Sequence, residues 1–360
     1  MKKHLKISFV IPFTGVTGGI AVILEYCRQL TTMGHEVNIF YPLLPYRIYH
    51  RSNKLWKRFP SRVKQLFRNI IKFKRGLTLF SENIPIRPVI AISDIFIPNA
   101  DTVIATAWPT AYDVAKLSPN KGRKYYFVQD YEIWNGCVDT VDNSYRLPLG
   151  IITIGPWQTE LMKKEFNRGD VIEIHNGIRL DKFYPPPKKD FDRVSILLMA
   201  HEAEFKGVRE AIEALSAVKE RYPQAEIKMF GMCRKPAAPF DFEYRREASY
   251  EEQLALYQEA TIFLWSSHKE GWGLPPTEAM ACKCAVVATD TGCIPIINNG
   301  KNLILAEAKN PASLAEGVIK LIEDRALREK IAEEGFSRIK EQGWEGPMRK
   351  LQDRLLRDSV

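Results

Sequence analysis

The chain has 360 residues, of which 45% are hydrophobic and 26% charged, and its net charge at pH 7 is +9. That balance excludes a disordered chain and leaves room for two domains of ordinary size, each with its own core. Six scattered cysteines exclude a disulfide framework and suit a reducing cytosol, and no stretch is both long and apolar enough to span a bilayer.

In chain order, MKKHLK followed by ISFVIPFTGVTGGIAVIL imitates a signal peptide. Pro12, Gly15, Gly18 and Gly19 interrupt the apolar run, however, and no A-x-A-like site follows. A strand (KISFVIPF), a glycine loop (TGVTGG) and a helix (IAVILEYCRQLTTM, closed by Gly34) explain it better. HEVNIFY is a second strand, which makes a βαβ unit and predicts a parallel sheet.

From Val37 to Ser81 there is no Asp or Glu, and the window holds eleven Lys and Arg between Arg47 and Arg75. Against a whole-chain charge of +9, the remainder is slightly acidic, so no nucleic-acid partner is expected of the whole protein. Trp56, Phe59, Val63, Leu66, Phe67, Ile70 and Ile71 alternate with those cations at broadly helical spacing. Three readings fit residues 47–75: a helix that covers the sheet with a solvated basic face, a basic amphipathic helix on an anionic membrane surface, or, least favoured, an RNA-binding segment.

TVIATAW, KYYFVQD and GIITIG read as later strands of the first sheet, with a helix over WQTELMKKEF. HNGIRLDKFYPPPKKD, with three consecutive prolines, marks a linker. A second series follows: strands SILLMA, AEIKMFG, TIFLWSS and AVVATD, and helices over KGVREAIEALSAVKERY, SYEEQLALYQEA, PPTEAMACK and near 311–323 and 325–341. The expected organisation is α/β, two doubly wound Rossmann-like domains: 1–180 with a basic insertion at about 45–76, 181–342, and a final helix at 343–360 that packs back on the first domain. Ligands of such sheets sit at the carboxyl ends of the strands.

HKEGWGLPPTEAMACKC, residues 268–284, stands at one of those ends. Glu270 lies just past TIFLWSS. Gly271 and Gly273 allow close backbone approach, and Pro275 and Pro276 suit a first helical turn, in which Glu278 is expected to fall. A helix N-terminus favours phosphate, and carboxylates accept hydroxyl protons. Together they predict a ligand with hydroxyls at both glutamates and an anionic centre between them, which is the layout of a nucleotide sugar. The plain alternative, that both acids only favour the helix start, accounts for Glu278 but not for Glu270 or the Gly-Trp-Gly. Cys282 and Cys284 form a C-x-C without a second ligand pair, and read as small core or turn residues rather than a metal pair.

E-x7-E followed by AMA, with GLP inside it, resembles the donor-site signature of the family 4 glycosyltransferases of the GT-B fold. HNGIRLDKFYP, SILLMAHEAEFKGVREAIEAL and NPASLAEGVIKLIED extend the similarity over most of the chain, and KYYFVQDYEIW and TAWPTAY resemble the bacterial rhamnosyltransferase-like members. The resemblance implies that Glu270 contacts donor-sugar hydroxyls near the anomeric carbon and Glu278 the ribose. Backbone around Gly271, Trp272, Gly273 and Leu274 would face sugar and phosphates, and Lys206 would neutralise the departing diphosphate. It further implies retention of configuration, no essential metal or cofactor, and a dTDP-, UDP- or GDP-sugar as donor. No Asp-x-Asp suits a divalent ion. The acceptor would be a glycan or lipid-linked species, met in the cytoplasm at the inner face of a bacterial membrane in surface polysaccharide synthesis.

The chain departs from the family in places. His201 stands where the family has Arg, either as a phosphate donor or as a structural histidine. Ile296 replaces a common Glu, and ATAWPTAYD lacks a common His. Gln129 and Asp130, at a strand end, are candidates for acceptor recognition, with Asp130 also a candidate base. Gly15, Gly18 and Gly19 would cradle phosphate or shape the floor beneath the acceptor. The G-x-x-G-G spacing and the lack of an acidic residue after the second strand exclude a dinucleotide fingerprint. A non-catalytic nucleotide-sugar or glycan-binding module on the same fold is the rival reading.

Overall fold

The computed structural model describes residues 4–358 apart from 16, 44, 45, 47–83 and 136. The basic run at 47–75 therefore lies outside the described residues. The chain divides into two units: one runs to Asn176 and resumes at Glu345, and the other spans Gly177–Trp344.

The first unit contains β1 (Lys6–Val10), α1 (Gly18–Thr32), β2 (Glu36–Pro42), β3 (Ile86–Val89), β4 (Thr102–Ala105), α2 (Trp108–Lys116), β5 (Arg123–Val128), α3 (Val138–Tyr145), β6 (Gly150–Thr153), α4 (Pro156–Phe166) and β7 (Ile172–Glu173). The sheet order is β3-β2-β1-β4-β5-β6-β7, and every pairing is parallel. Helices on both faces demand strands that are apolar on both sides, which is why β1, β4 and β5 read as continuous hydrophobic runs. Ile7, Phe9, Val10, Val103, Ile104 and Phe127 are all buried.

The second unit contains β8 (Ser195–Ala200), α5 (Val208–Arg221), β9 (Glu226–Gly231), β10 (Glu243–Arg246), α6 (Tyr250–Glu259), β11 (Ile262–Trp265), α7 (Leu274–Ala281), β12 (Ala285–Thr289), α8 (Ile294–Ile297), β13 (Ile304–Ala306), α9 (Pro311–Glu323) and α10 (Arg325–Lys340). Its order, β10-β9-β8-β11-β12-β13, is again all parallel. Ile196, Leu198, Ile262, Leu264 and Val287 on one sheet face meet Ala211, Leu215 and Val218 of α5 and Leu314, Val318 and Leu321 of α9. Each such side chain contributes about 1.5–3 kcal/mol on burial. Ser249 and Glu252 form a capping box that fixes the start of α6.

α11 (Glu345–Asp358) belongs to the first unit, where it buries Met348, Leu351 and Leu355. Tyr125 donates to Asp358 at 2.5 Å, and Gln352 meets the His35 ring at 3.0 Å. The expected fold class, two doubly wound α/β sheets, is the one observed.

Local differences have local causes. The strand expected over TVIATAW stops at Ala105, because Thr110 Oγ1 accepts from Thr106 and Ala107 N–H and turns the chain into α2. α1 begins at Gly18 rather than after the glycines, with Thr17 Oγ1 accepting from Ile20 N–H. β3, β7, β10 and β13 carry no strong sequence signal, being short and only partly buried, unlike the equally short but fully buried β4, β6 and β11.

Candidate functional site

In the second sheet the winding reverses between β8 and β11, which lie side by side, and the carboxyl ends of such neighbouring strands open a crevice. His201 and Lys206 follow β8, and Glu270 follows β11. Two loops 60 residues apart are stitched there: His268 N–H donates to Phe205 O at 2.7 Å, and Ser266 Oγ donates to Lys206 O at 3.1 Å. Gly207 has φ +64°, and a Cβ on it would sit 2.0 Å from Ser266 O, so only glycine lets the loops meet.

That stitching brings Lys206 Nζ to 2.7 and 2.9 Å from the two carboxylate oxygens of Glu270. Ser267 Oγ donates to Glu270 Oε1 at 2.6 Å. The glutamate side chain is 7% exposed and the lysine 17%, so the pair is enclosed but open on the lysine side. Desolvation and the Lys206 charge hold the His201 imidazole below its ordinary pKa. Its Nδ1 accepts from Ala203 N–H at 2.9 Å, which leaves the proton on Nε2. His201 can thus donate a hydrogen bond as the neutral ring.

The second glutamate is placed differently from expectation. Gly273 is the N-cap of α7, so Leu274, Pro275 and Pro276 are its first three residues and Glu278 falls in the second turn. Tyr257 on α6 donates to Glu278 Oε2 at 2.9 Å, and burial pushes the Glu278 carboxyl up to about 7. Because Pro275 and Pro276 have no N–H, Leu274 alone among those three residues offers an amide proton. Trp272 is buried, so that residue can face a ligand only through its backbone. Gly271 lies between Glu270 and Trp272 in the same loop.

Cys282 and Cys284 are core residues, with Cys284 Sγ donating to Tyr257 O and Ala260 O. Among the described residues no three His, Cys, Asp or Glu side chains cluster as metal ligands do.

In the first unit Gly15 and Gly18 have open or light surroundings, while a Cβ on Gly19 would touch the Gln129 amide at 3.4 Å. Gln129 O accepts from Gln158 Nε2 at 3.3 Å, and Asp130 Oδ1 accepts from Tyr131 N–H at 2.8 Å. These residues share the carboxyl end of their sheet, where α1 starts and β5 stops. Glu132 beside them was not singled out from sequence. It is buried, accepts from Trp108 N–H at 2.6 Å, and desolvation raises its carboxyl to about 8. Tyr257 and Cys293 were also missed, since each acts on a glutamate or glycine brought near only by the fold, and so was Ser267, three residues before Glu270 in the same loop.

Comparison with known proteins bears on the second unit most directly. Residues 183–338 match the family model of glycosyl transferases group 1. That stretch contains Lys206, Glu270 and Glu278. The chain is 31% identical over 174 residues to the N,N'-diacetylbacillosaminyl-diphospho-undecaprenol alpha-1,3-N-acetylgalactosaminyltransferase of Campylobacter jejuni, covering 43% of this chain and 46% of that one. It is 24% identical over 182 residues to the capsular polysaccharide biosynthesis glycosyltransferase CapM of Staphylococcus aureus, covering 46% of this chain and 48% of that protein. The chain thus spans less than half the length of these curated relatives. Among solved structures, HepE of Anabaena in complex with UDP and glucose superposes with a TM-score of 0.73 at 13% identity, covering 98% of this chain and 100% of that one. Sucrose-phosphate synthase of Thermosynechococcus elongatus gives 0.70 at 15% identity, with 98% of each chain covered. At these identities the likeness speaks to the fold, which is GT-B.

Proposed function

We propose that this protein is a glycosyltransferase that moves a hexose or deoxyhexose, rhamnose among the candidates, from a nucleoside-diphosphate sugar to a glycan or lipid-linked acceptor. The observation that carries this is the Lys206–Glu270–Ser267 cluster at the winding reversal of the second sheet, inside the stretch that matches the group 1 family. A donor of this class needs a cation for its diphosphate, acceptors for its sugar and ribose hydroxyls, and close backbone between them. Lys206, Glu270, Glu278 and the Gly271–Leu274 loop supply those groups.

In this reading the anomeric C–O bond to the diphosphate breaks and its electrons stay on the phosphate oxygen. Lys206 and the neutral His201 Nε2–H stabilise that charge; one such donor is worth about 3 kcal/mol of barrier. The acceptor oxygen bonds the anomeric carbon on the same face, with retention, and its proton goes to the departing phosphate oxygen. No metal or cofactor takes part. The first unit, with Gly15, Gly18, Gly19, Gln129 and Asp130, would receive the acceptor at the cytoplasmic face of a membrane, with dTDP-, UDP- or GDP-linked sugar as donor.

The test is nucleoside diphosphate release from dTDP-, UDP- and GDP-sugars, with and without lipid-linked acceptors. Release from one of them supports transfer. Saturable nucleotide-sugar binding with no release under any acceptor would instead establish a binding module.

A further inference from the structure

The loop after β12 grips the loop that carries Glu270. Cys293 N–H donates to Trp272 O at 2.6 Å, and Cys293 Sγ–H donates to Gly273 O at 3.2 Å. Gly292 (φ +60°) lies so close that a Cβ on it would be 2.2 Å from Trp272 O and 2.9 Å from Glu270 Cβ. Cys293 itself is 0% exposed, so its thiol has no solvent to turn to.

The carbonyl that the thiol holds belongs to the Gly273–Leu274 peptide. A trans peptide is planar, and its N–H points opposite its C=O. Fixing the Gly273 oxygen on Cys293 therefore fixes the Leu274 N–H on the side away from Cys293. Leu274 is also the one residue of the first three in α7 with an amide proton, since two prolines follow it. One peptide plane thus decides where the first amide proton of this helix points. Gly273 has φ +81°, a region open to glycine, where no Cβ limits the orientation of the plane. A second observation marks the same spot as a place for a polar ligand. Trp265 is 3% exposed, its ring lies 3.1 Å from where a Cβ on Gly273 would sit, and its indole N–H has no partner among the described residues.

We infer that Cys293 is a positioning residue: its thiol sets the Gly273–Leu274 peptide so that the Leu274 N–H is presented to the distal phosphate of a nucleoside diphosphate. The inference rests on the donor-site reading above and adds a group outside the two-glutamate signature. Cys293 touches no reacting atom. It acts through the backbone that does.

Calorimetric titration of the full chain with UDP, dTDP and GDP and with the matching monophosphates tests this. For the diphosphate that wild type binds, Cys293→Ala should weaken affinity about tenfold, the worth of one hydrogen bond to a charged group. Affinity for the monophosphate should stay within twofold. Cys293→Ser, which keeps a donor, should restore most of the diphosphate affinity. Equal diphosphate binding by wild type and Cys293→Ala would overturn the inference. So would equal loss of mono- and diphosphate binding that serine does not rescue, since that is the mark of a merely structural thiol. Failure of wild type to bind any of the three diphosphates would overturn the donor-site reading itself, and is recognised before any variant is made.

Discussion

Lys206 and Glu270 lie 64 residues apart in the chain, and the lysine spans both carboxylate oxygens of the glutamate at 2.7 and 2.9 Å. One arrives on the loop after β8 and the other on the loop after β11, so the pair exists only because those strands are neighbours. Removing one member of a fully buried pair costs ~3–5 kcal/mol, because the other is left charged and unpartnered. The lysine's partial exposure reduces that to ~2 kcal/mol here. Lys206→Met and Glu270→Gln should each lower the unfolding free energy by about that much, while the double variant recovers most of it. Transfer behaves differently: all three should lose about a hundredfold or more in rate. Urea melts and nucleoside diphosphate release separate the two effects. Wild-type turnover in either single variant would remove that residue from the chemistry.

Glu278 makes donor binding pH-dependent in a direction fixed by its environment. Burial raises the carboxyl to about 7, against a smaller opposite pull from the Tyr257 hydroxyl. Below that value the group is protonated and is a poorer acceptor for ribose hydroxyls. Nucleotide affinity should therefore rise between pH 6 and 8 in the wild type, and Glu278→Gln should flatten the profile at lower affinity. Stability runs the other way. The unfolded chain releases this proton from near pH 4.5 upward and the folded chain does not, so this group's contribution falls as pH rises from there to about 7. Calorimetric titration and urea melts at several pH values read both, and an unchanged profile in the glutamine variant would place the titration elsewhere.

Gly207 is where the two loops of the site touch. Alanine there meets a backbone oxygen, Ser266 O, at 2.0 Å, and it would also hold an unfavourable φ of +64°. Neither the strand end nor the start of α5 can yield cheaply. Gly207→Ala should cost ~2 kcal/mol or more of stability and should displace Lys206, whose carbonyl is held by Ser266. Loss of transfer with near-normal nucleoside binding is the expected signature, measured by turnover and by titration with the free nucleoside.

The parallel sheets were legible because strands buried on both faces must be apolar throughout, as in KISFV and IFLW. The E-x7-E spacing likewise marked both glutamates. What the sequence hid has a common cause. Tyr257 and Cys293 matter through hydrogen bonds to residues on other elements, and spacing along the chain carries no trace of such partners; Ser267 stands only three residues from Glu270, yet nothing in the sequence shows that its hydroxyl turns to that carboxylate. Glu278 was misplaced by one residue, which carries it from the first turn to the second, because the two prolines suggested the helix start, whereas Gly273, turning at positive φ, sets it one residue earlier. Trp108 looked like the end of a strand because the Thr110 side chain that redirects the backbone is an unremarkable residue in sequence.

Glu132 offers a sharp test of why a carboxyl is buried in the first unit. It accepts the Trp108 N–H at the start of α2, and its own N–H donates to the Tyr145 hydroxyl at 3.3 Å. Desolvation raises its pKa to about 8, with the Asp130 charge adding to the rise and the Trp108 amide opposing it. Since the folded value exceeds the unfolded one, this group's contribution to stability declines as pH climbs from about 4.5 to about 8. Glutamine at this position keeps an acceptor for Trp108 and cannot ionise. Glu132→Gln should therefore be more stable than wild type at pH 6 and more so at pH 9, matching it only near pH 4.5 and below. Glu132→Ala leaves the helix-start amide without its partner and should be ~1–3 kcal/mol less stable than the glutamine variant at both pH values. Thermal melts at pH 6 and 9 distinguish these outcomes. A glutamine variant less stable than wild type at pH 9 would mean that the ionised carboxylate, held by the dipole of α2, is the form the fold requires.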